Sequence, residues 1–311
     1  MRIKYLLLTL ILLLTLIGIA LVYNHIETLQ KQSIQKMSTK LLRDLKVQET
    51  YAEDISFVVL TGISENKNII RSLRENNREI AIKELQKTIQ EYKKKTNIQE
   101  LKIHIHTADV KAFIRSWKLD KYGDSLSSFR DTINQVKLMQ RPIFAFEVGR
   151  IGLTLRSLLP IIDKGEYIGS IEFIQQFDQV PKKFEKRNNH YLLLMNKSYL
   201  NIAKYLKDAP DIQDYKVSSK YFNKEFIKEA KKIDFKKMLH DGYFLTDKYF
   251  FVYKPIEDIN KKNVGLHLMA MSGQGVHDMI DYDKKAAITL YMIFGLGVLF
   301  LFLIIFFVMK K

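Results

Sequence analysis

The chain has 311 residues, a net charge of +16 from 50 Lys and Arg against 34 Asp and Glu, and no cysteine. The missing cysteines exclude disulfides and thiolate metal sites. The basic residues are scattered and accompany no binding motif, which argues against nucleic acid as a partner. Such a surplus fits a surface that faces anionic lipid or anionic solutes.

Two uncharged apolar segments, residues 5–22 and 286–309, predict transmembrane helices at the two ends of the chain. Eighteen helical residues span roughly 27 Å, which is close to the thickness of a bilayer's hydrocarbon core. A cleaved signal peptide is the alternative for the first segment, because Arg2 and Lys4 resemble the basic start of such a peptide. The segment is longer than the usual signal-peptide core and no clear cleavage site follows it, so we predict an uncleaved anchor.

The flanking charges predict the orientation of the chain in the membrane. Residues 1–4 contain Arg2 and Lys4, and residues 310–311 are both lysine. Because basic residues near a span favour the cytoplasmic side, we expect both termini in the cytoplasm and the middle of the chain outside it.

A long amphipathic helix is predicted directly after the first span. Residues 24–61 contain neither Pro nor Gly, and their apolar side chains recur every three to four positions. This stalk helix would reach roughly 57 Å, and Gly62 is expected to end it. A second helix is predicted over residues 76–92.

A strand-rich region follows. The alternating and continuous apolar runs predict five strands with a helical or irregular insert, residues 119–140, after the second one. Two glycine-containing connections, residues 149–152 and 163–165, predict hairpins. The five predicted strands are residues 101–107, 112–117, 143–148, 153–162 and 167–174.

The rest of the chain repeats this order more weakly. A strand is predicted over residues 191–195, and a charged, helical stretch over residues 201–239. Residues 276–285 are short and polar, and we expect them to connect the folded region to the second span. The remaining predicted strands are residues 243–245, 249–253 and 264–271.

Several sequence runs, taken in order, resemble the double Cache sensor domain of bacterial chemoreceptors, sensor kinases and membrane diguanylate cyclases. The resemblance is dense over residues 102–173 and architectural elsewhere. The runs that carry it are Lys102–Asp109, Phe113–Trp117, Lys121–Arg130, Phe146–Leu153 and Gly169–Glu172.

The resemblance implies an α+β fold in which two PAS-like antiparallel-sheet modules stand on a long N-terminal helix, with transmembrane helices on both sides. The first module, residues 62–178, would be membrane-distal and hold a small-molecule ligand. The second module, residues 179–275, would be membrane-proximal. Such proteins lie in the bacterial inner membrane with the sensor domain in the periplasm.

The strongest cluster of candidate ligand-binding residues lies in and after the second predicted strand. An arginine offers a planar fork to a carboxylate, aromatic rings can wall a pocket, and an aspartate can accept from an ammonium group. The alternative is a structural salt bridge between Arg115 and Asp124, with Trp117 in the core. The cluster comprises Arg115, Trp117, Tyr122, Asp124 and Arg130.

Two further pairs complete the candidate ligand site. Arg156 lies in an apolar strand and needs either a partner or a ligand, and Glu147 is the predicted internal partner. His104 and His106 share one face of a strand. With Asp109 nearby they could bind zinc, but packed or ligand-facing histidines are the preferred interpretation, so no metal and no cofactor is predicted.

These observations predict a sensor for a small anionic or zwitterionic solute that transmits a helix displacement across the membrane. No catalytic motif is present, so the protein is not expected to be an enzyme. A homodimer through residues 24–61 is expected. Relatives continue into a cytoplasmic output domain, so we expect the output here to come from a partner or a missing domain. The alternative is a periplasmic scaffold or accessory protein with a vestigial pocket.

Overall fold

The computed structural model describes residues 2–96 and 100–308. The predicted end of the second span at Met309, with Lys310 and Lys311 after it, lies outside the described residues. The chain divides into two compact units. One contains residues 42–244 and 251–270, and the other contains residues 1–41, 245–250 and 271–311.

The N-terminal helix, α1, runs without interruption from Arg2 to Ser64, a length of 63 residues. It joins the first apolar segment and the stalk helix, as their sequences predict. The expected end at Gly62 is wrong. A glycine inside a helix costs only about 1 kcal/mol, and Leu60 and Ile63 are buried on either side of it, so packing carries the helix past it.

Two helices follow α1. The helix α2, Lys67–Arg74, was not predicted, and Asn66 caps it by accepting hydrogen bonds from the Asn68 and Ile69 backbone amides. The helix α3, Arg78–Lys95, corresponds to the predicted second helix.

The first sheet is antiparallel, with strand order β2-β1-β5-β4-β3. One of its faces packs against α1, α2 and α3 through a core that includes Ile103, Ile105, Ile171, Phe173 and Leu60. All five predicted strands are present. Their bounds are β1 Lys102–Thr107, β2 Ala112–Arg115, β3 Ile143–Gly149, β4 Gly152–Asp163 and β5 Glu166–Gln175.

The insert between β2 and β3 contains one helix, α4, Asp131–Met139. Its Ile133 and Val136 form a second small core with Leu126 of the insert and Leu158 of β4. Leu158 pairs with Glu172 across the β4–β5 ladder, so the two side chains share a face of the sheet. The insert therefore lies over the charged face of the first sheet.

The second sheet has strand order β7-β8-β6-β11-β10-β9, and the helix α5, Gln179–Glu185, precedes it. The prediction of a helical stretch over residues 201–239 holds for its second half, where two short helices lie, and is wrong for residues 211–217. Pro210 cannot continue a helix, and buried Ile212 and Val217 lie in a short hairpin instead. This region contains β7 Asp211–Ile212, β8 Tyr215–Val217, α6 Lys224–Ala230 and α7 Phe235–Asp241. The four predicted strands of this module are present as β6 Asn189–Asn196, β9 Tyr243–Leu245, β10 Tyr249–Glu257 and β11 Asn263–Ser272.

The last helix, α8, runs from Gly273 to Val308 and includes the predicted connector. Among the described residues, one helix is long and apolar enough to cross a membrane, and its candidate span begins at Thr9 within α1. The apolar stretch Ala287–Leu303 is shorter. The second transmembrane helix therefore stays a prediction.

Candidate functional site

Strict alternation along β1 separates the two faces of the first sheet. Ile103 and Ile105 pack into the apolar core under the helices, whereas His104 and His106 project from the opposite face. The two imidazole rings lie 4.1 Å apart between centroids in an edge-on arrangement. Their spacing in the sequence predicted this shared face.

Strand register brings more charged side chains to the same face. His104 pairs with Arg115 of β2 on one side and with Glu172 of β5 on the other. Arg156 and Glu147 come from β4 and β3, and Arg130 comes from the insert. We call this set the polar face; it comprises His104, His106, Arg115, Arg130, Glu147, Arg156 and Glu172, all of which are buried.

Two carboxylates and two guanidiniums form a closed network within the polar face. Glu172 accepts hydrogen bonds on Oε1 from Nη2 of Arg130 and, at 2.9 Å, from Nη1 of Arg156. Arg130 also donates from Nε to Oε2 of Glu147 at 2.7 Å. Nε of Arg156 lies 3.3 Å from the same oxygen, so the predicted pairing of Glu147 with Arg156 is present, but Glu172 holds Arg156 more closely.

The protonation states follow from burial and pairing. Burial would raise the pKa of Glu172, but Arg130 and Arg156 outweigh it and hold the pKa well below its usual range. Burial and the neighbouring His106 lower the pKa of His104 well below its ordinary value of 6.5. Burial also lowers the pKa of His106. With neutral imidazoles, the network of two arginines and two glutamates has no net charge, which makes its burial tolerable.

The outer part of the polar face is a second, more accessible ion pair. Arg115 donates to both carboxylate oxygens of Asp124 at 2.7 and 2.8 Å and to the Lys121 carbonyl at 2.8 Å. This hydrogen bonding from Arg115 lowers the pKa of Asp124. Arg115 and Asp124 therefore form the structural salt bridge that the sequence suggested as the alternative to ligand binding. Contact of either residue with a ligand stays a prediction.

Two aromatic residues stand beside this ion pair. Trp117 is 45% exposed, so its alternative assignment to the core is wrong. Its ring lies 5.7 Å from that of His104. Tyr122 is also exposed, and the Arg78 guanidinium stacks on its ring at 3.4 Å. Both rings are accessible to a solute.

The histidines face Oε2 of Glu172, the carboxylate oxygen that the two arginines do not contact. Nδ1 of His104 lies 3.3 Å and Nε2 of His106 lies 3.7 Å from Oε2 of Glu172. Nδ1 of His106 is within hydrogen-bond distance of Ser170 Oγ, at 2.9 Å. Asp109, the carboxylate named beside the histidines in the sequence, instead forms an exposed pair with Lys111 at 2.6 Å.

A separate cleft of about 760 Å³ is lined by α1 and by the end of β5. Tyr51 and Gln48 line it on the helix, and Gln175 lines it on the strand. The residues of the polar face do not line this cleft.

The family comparison identifies this architecture. A family model described as the double sensory domain of two-component sensor kinases matches residues 35–272, which contain the polar face and both sheets. The chain belongs to this family. The double Cache resemblance of the sequence is thereby confirmed. The double sensory domain is a ligand-sensing rather than a catalytic class, which fits the absence of a catalytic motif.

Two of the solved structures to which the chain is similar are sensor domains. The sensor domain of the Vibrio cholerae histidine kinase DctB shares 12% identity, covers 81% of this chain and 97% of its own, and has a TM-score of 0.46. That of the Campylobacter jejuni chemoreceptor Tlp3, with isoleucine bound, shares 12% identity over 82% and 97%, with a TM-score of 0.49. No curated protein matches the chain significantly.

Glu172 lies at the centre of the polar face of this double sensory domain, but the sequence did not identify it as a site residue. It contacts Arg130, Arg156 and both histidines. Its signal in the sequence is a charge between Ile171 and Phe173, in the middle of a strand whose other charged residue, Glu166, stands at its exposed end. A buried charge of this kind requires a partner.

Proposed function

We propose that this protein is a membrane-anchored extracytoplasmic sensor whose first module binds a small anionic or zwitterionic solute beneath the insert. The observation that carries the proposal is the polar face: seven charged or titratable side chains converge under the insert of a sensory domain. A sheet face that served only as core would be apolar, as the opposite face is.

The Arg115–Asp124 pair supports the choice of solute. Opening this bidentate pair would leave a carboxylate and a guanidinium without partners, which is costly near a buried surface. A solute that carries both a carboxylate and an ammonium group can replace each partner, so no charge is left unpaired. Trp117 and Tyr122, which are close to the pair in the sequence, offer exposed aromatic surface to the rest of the solute.

Transmission would use α1. This helix contains the apolar segment near its start, and Val59, Leu60 and Ile63 near its end belong to the core of the first module. A solute that binds more tightly to one arrangement of the first module than to another can therefore shift the position of this helix. The free energy of that shift is limited to the difference between the two binding free energies. Coupling of this kind is commonly worth about 1–3 kcal/mol.

The remaining parts of the proposal concern partners and location. Val47, Tyr51 and Val58 are exposed apolar residues on the stalk helix, and they support a homodimer formed along it. The basic flanks support cytoplasmic termini in a bacterial inner membrane, with the main domain in the periplasm. A cytoplasmic signalling partner would supply the output.

The proposal is tested by titrating the full chain, purified in detergent, with amino acids, carboxylates and amines. Trp117 is the only tryptophan of the chain, so its fluorescence reports binding beside the Arg115–Asp124 pair. A binding solute should change this fluorescence and raise the melting temperature, and Arg115→Ala should abolish both effects.

Arg74→Ala is the matched control, because Arg74 forms ion pairs with Asp163 and Glu166 elsewhere in the first module. This variant should bind as the wild type does. Binding that survives Arg115→Ala but is lost in Tyr51→Ala would place the solute in the separate cleft and contradict the proposal.

A scaffold or accessory protein is the second candidate function. It is favoured by the internal pairing of Arg115, Arg130, Glu147, Arg156 and Glu172, which satisfies these charges without a solute. If no solute changes the Trp117 fluorescence or the melting temperature, although the protein melts cooperatively, the result would support the scaffold and oppose the sensor.

A further inference from the structure

We propose that His104, His106 and Glu172 form a binding site for a divalent transition metal ion of the zinc class. Each of the three residues can present one ligand atom, and these atoms lie within 4.8 Å of one another. All three side chains are at least 98% buried. The three residues belong to the polar face, but the proposal does not depend on the solute proposed for that face, and its test uses metal salts alone.

The two distances from Glu172 to the histidines are close to those between the ligands of a tetrahedral ion. Zinc lies about 2.0–2.2 Å from imidazole nitrogen and carboxylate oxygen, so two ligands in tetrahedral geometry are roughly 3.4 Å apart. Oε2 of Glu172 lies 3.3 Å from Nδ1 of His104 and 3.7 Å from Nε2 of His106. A small rotation of the side chains would accommodate the ion.

The donor atoms are also available for coordination. Among the residues that the structure describes, Oε2 of Glu172 and Nε2 of His106 form no hydrogen bond, although both are buried. Buried polar atoms normally have a partner, and leaving one without costs roughly 1–3 kcal/mol. These two atoms lie 3.7 Å apart and call for a common partner, which a cation bound also by Nδ1 of His104 supplies.

Neighbouring residues orient the proposed metal ligands through hydrogen bonds and ion pairs. Ser170 Oγ lies 2.9 Å from Nδ1 of His106 and leaves Nε2 for the ion. Arg130 and Arg156 bind the other oxygen of Glu172, so its Oε2 is directed toward the histidines. Such contacts fix the orientation of the ligands.

The chemistry of the donors selects the kind of ion. Two imidazoles and one carboxylate, without a thiolate, suit Zn²⁺, Ni²⁺, Cu²⁺ or Fe²⁺ and disfavour Mg²⁺ and Ca²⁺, which prefer oxygen ligands. Coordination needs neutral imidazoles. Three protein ligands leave a fourth position for water or a small anion.

The test uses the full chain in detergent, purified without a histidine tag and treated with a chelator. ZnCl₂ should bind with a stoichiometry of one per chain in calorimetry. NiCl₂ and CuCl₂ should quench Trp117, whose ring lies 5.7 Å from His104, whereas MgCl₂ and CaCl₂ should have no effect. No saturable binding by the wild type would overturn the proposal.

Variants then assign the ligands. His104→Gln and His106→Gln should each weaken Zn²⁺ binding by roughly 100-fold or more, since loss of even an outer-shell contact costs about 10–100-fold. His240→Gln is the control, because His240 is exposed and pairs with Asp241; its affinity should equal that of the wild type. Unchanged affinity in both ligand variants would reject the site.

If the ligand variants fail to fold, X-ray absorption of the wild type loaded with one equivalent of Zn²⁺ decides the question. Two imidazoles and at least one oxygen in the first shell would support the proposal. One imidazole or none would show an adventitious surface ion and overturn it.

Discussion

Replacing Glu172 with glutamine would remove one negative charge from the buried network and keep the shape of the side chain. In the wild type, Arg130 and Arg156 share Glu147 and Glu172, and the four charges cancel. In the variant, two guanidiniums would share the single carboxylate of Glu147. One buried positive charge would then have no counterion.

The expected magnitude follows from this uncompensated charge. Removing one partner of a buried ion pair typically costs about 3–5 kcal/mol, because the remaining charge stays desolvated. Glu172 is fully buried, so solvent cannot screen the loss. For a domain of this size, the cost corresponds to a melting temperature lower by roughly 6–20 °C.

Glu166→Gln is the matched control on the same strand. Glu166 pairs with Arg74, but its side chain is 67% exposed, and exposed pairs contribute about 0.2–1 kcal/mol. Both variants would be unfolded in detergent with a chelator present, with circular dichroism and Trp117 fluorescence as probes.

A second substitution tests whether charge, rather than packing, causes the loss. Arg156→Met added to Glu172→Gln leaves one arginine and one glutamate, so the network is neutral again. The double variant should be more stable than Glu172→Gln alone, with a coupling of about 0.5–3 kcal/mol. A Glu172→Gln cost equal to that of Glu166→Gln, or a double variant less stable than either single one, would refute the reasoning.

Two other predictions concern a close backbone contact and a buried histidine. Gly169→Ala should lower the free energy of unfolding by roughly 3 kcal/mol or more in a denaturant titration, because the φ of +158° is strained for alanine and the new Cβ would collide with the His106 carbonyl on β1. Gly165→Ala is the control; its Cβ would enter open space, so it should cost only about 1–2 kcal/mol. Equal costs for the two variants would contradict this account. Burial, aided by Lys254, lowers the pKa of His267 well below 6.5. Its contribution to stability is therefore complete above pH 6.5 and declines as pH falls below that value, because only the unfolded chain then takes up the proton, at up to about 1.4 kcal/mol per pH unit. The difference between the free energies of unfolding at pH 7 and pH 5.5 should be smaller in His267→Gln than in the wild type. An equal difference in the two proteins would show that this histidine does not contribute to the pH dependence of stability.

Local patterns were sufficient for much of the first module. The alternation of Ile103 and Ile105 with His104 and His106 identifies a strand with one apolar and one polar face, because side chains on a strand alternate strictly. The five predicted strands are accordingly all present. In the second module, the charged composition of residues 201–239 suggested a helix, but the segment pairs as a hairpin before α6, since Pro210 and the sheet edge override local propensity.

The sequence by itself determined the family, the order of the modules and one continuous helix leading from an apolar segment to a sensor core. The family follows from the resemblance of several sequence runs, whereas the other two features depend on composition and on periodicities that act within a few residues. Only the tertiary structure decided which charges meet. Glu172 binds Arg130, which lies 42 residues away in the chain, because the register of β5 against β1 and the docking of the insert place them together. Register and docking depend on packing over the whole module, and no local spacing encodes them.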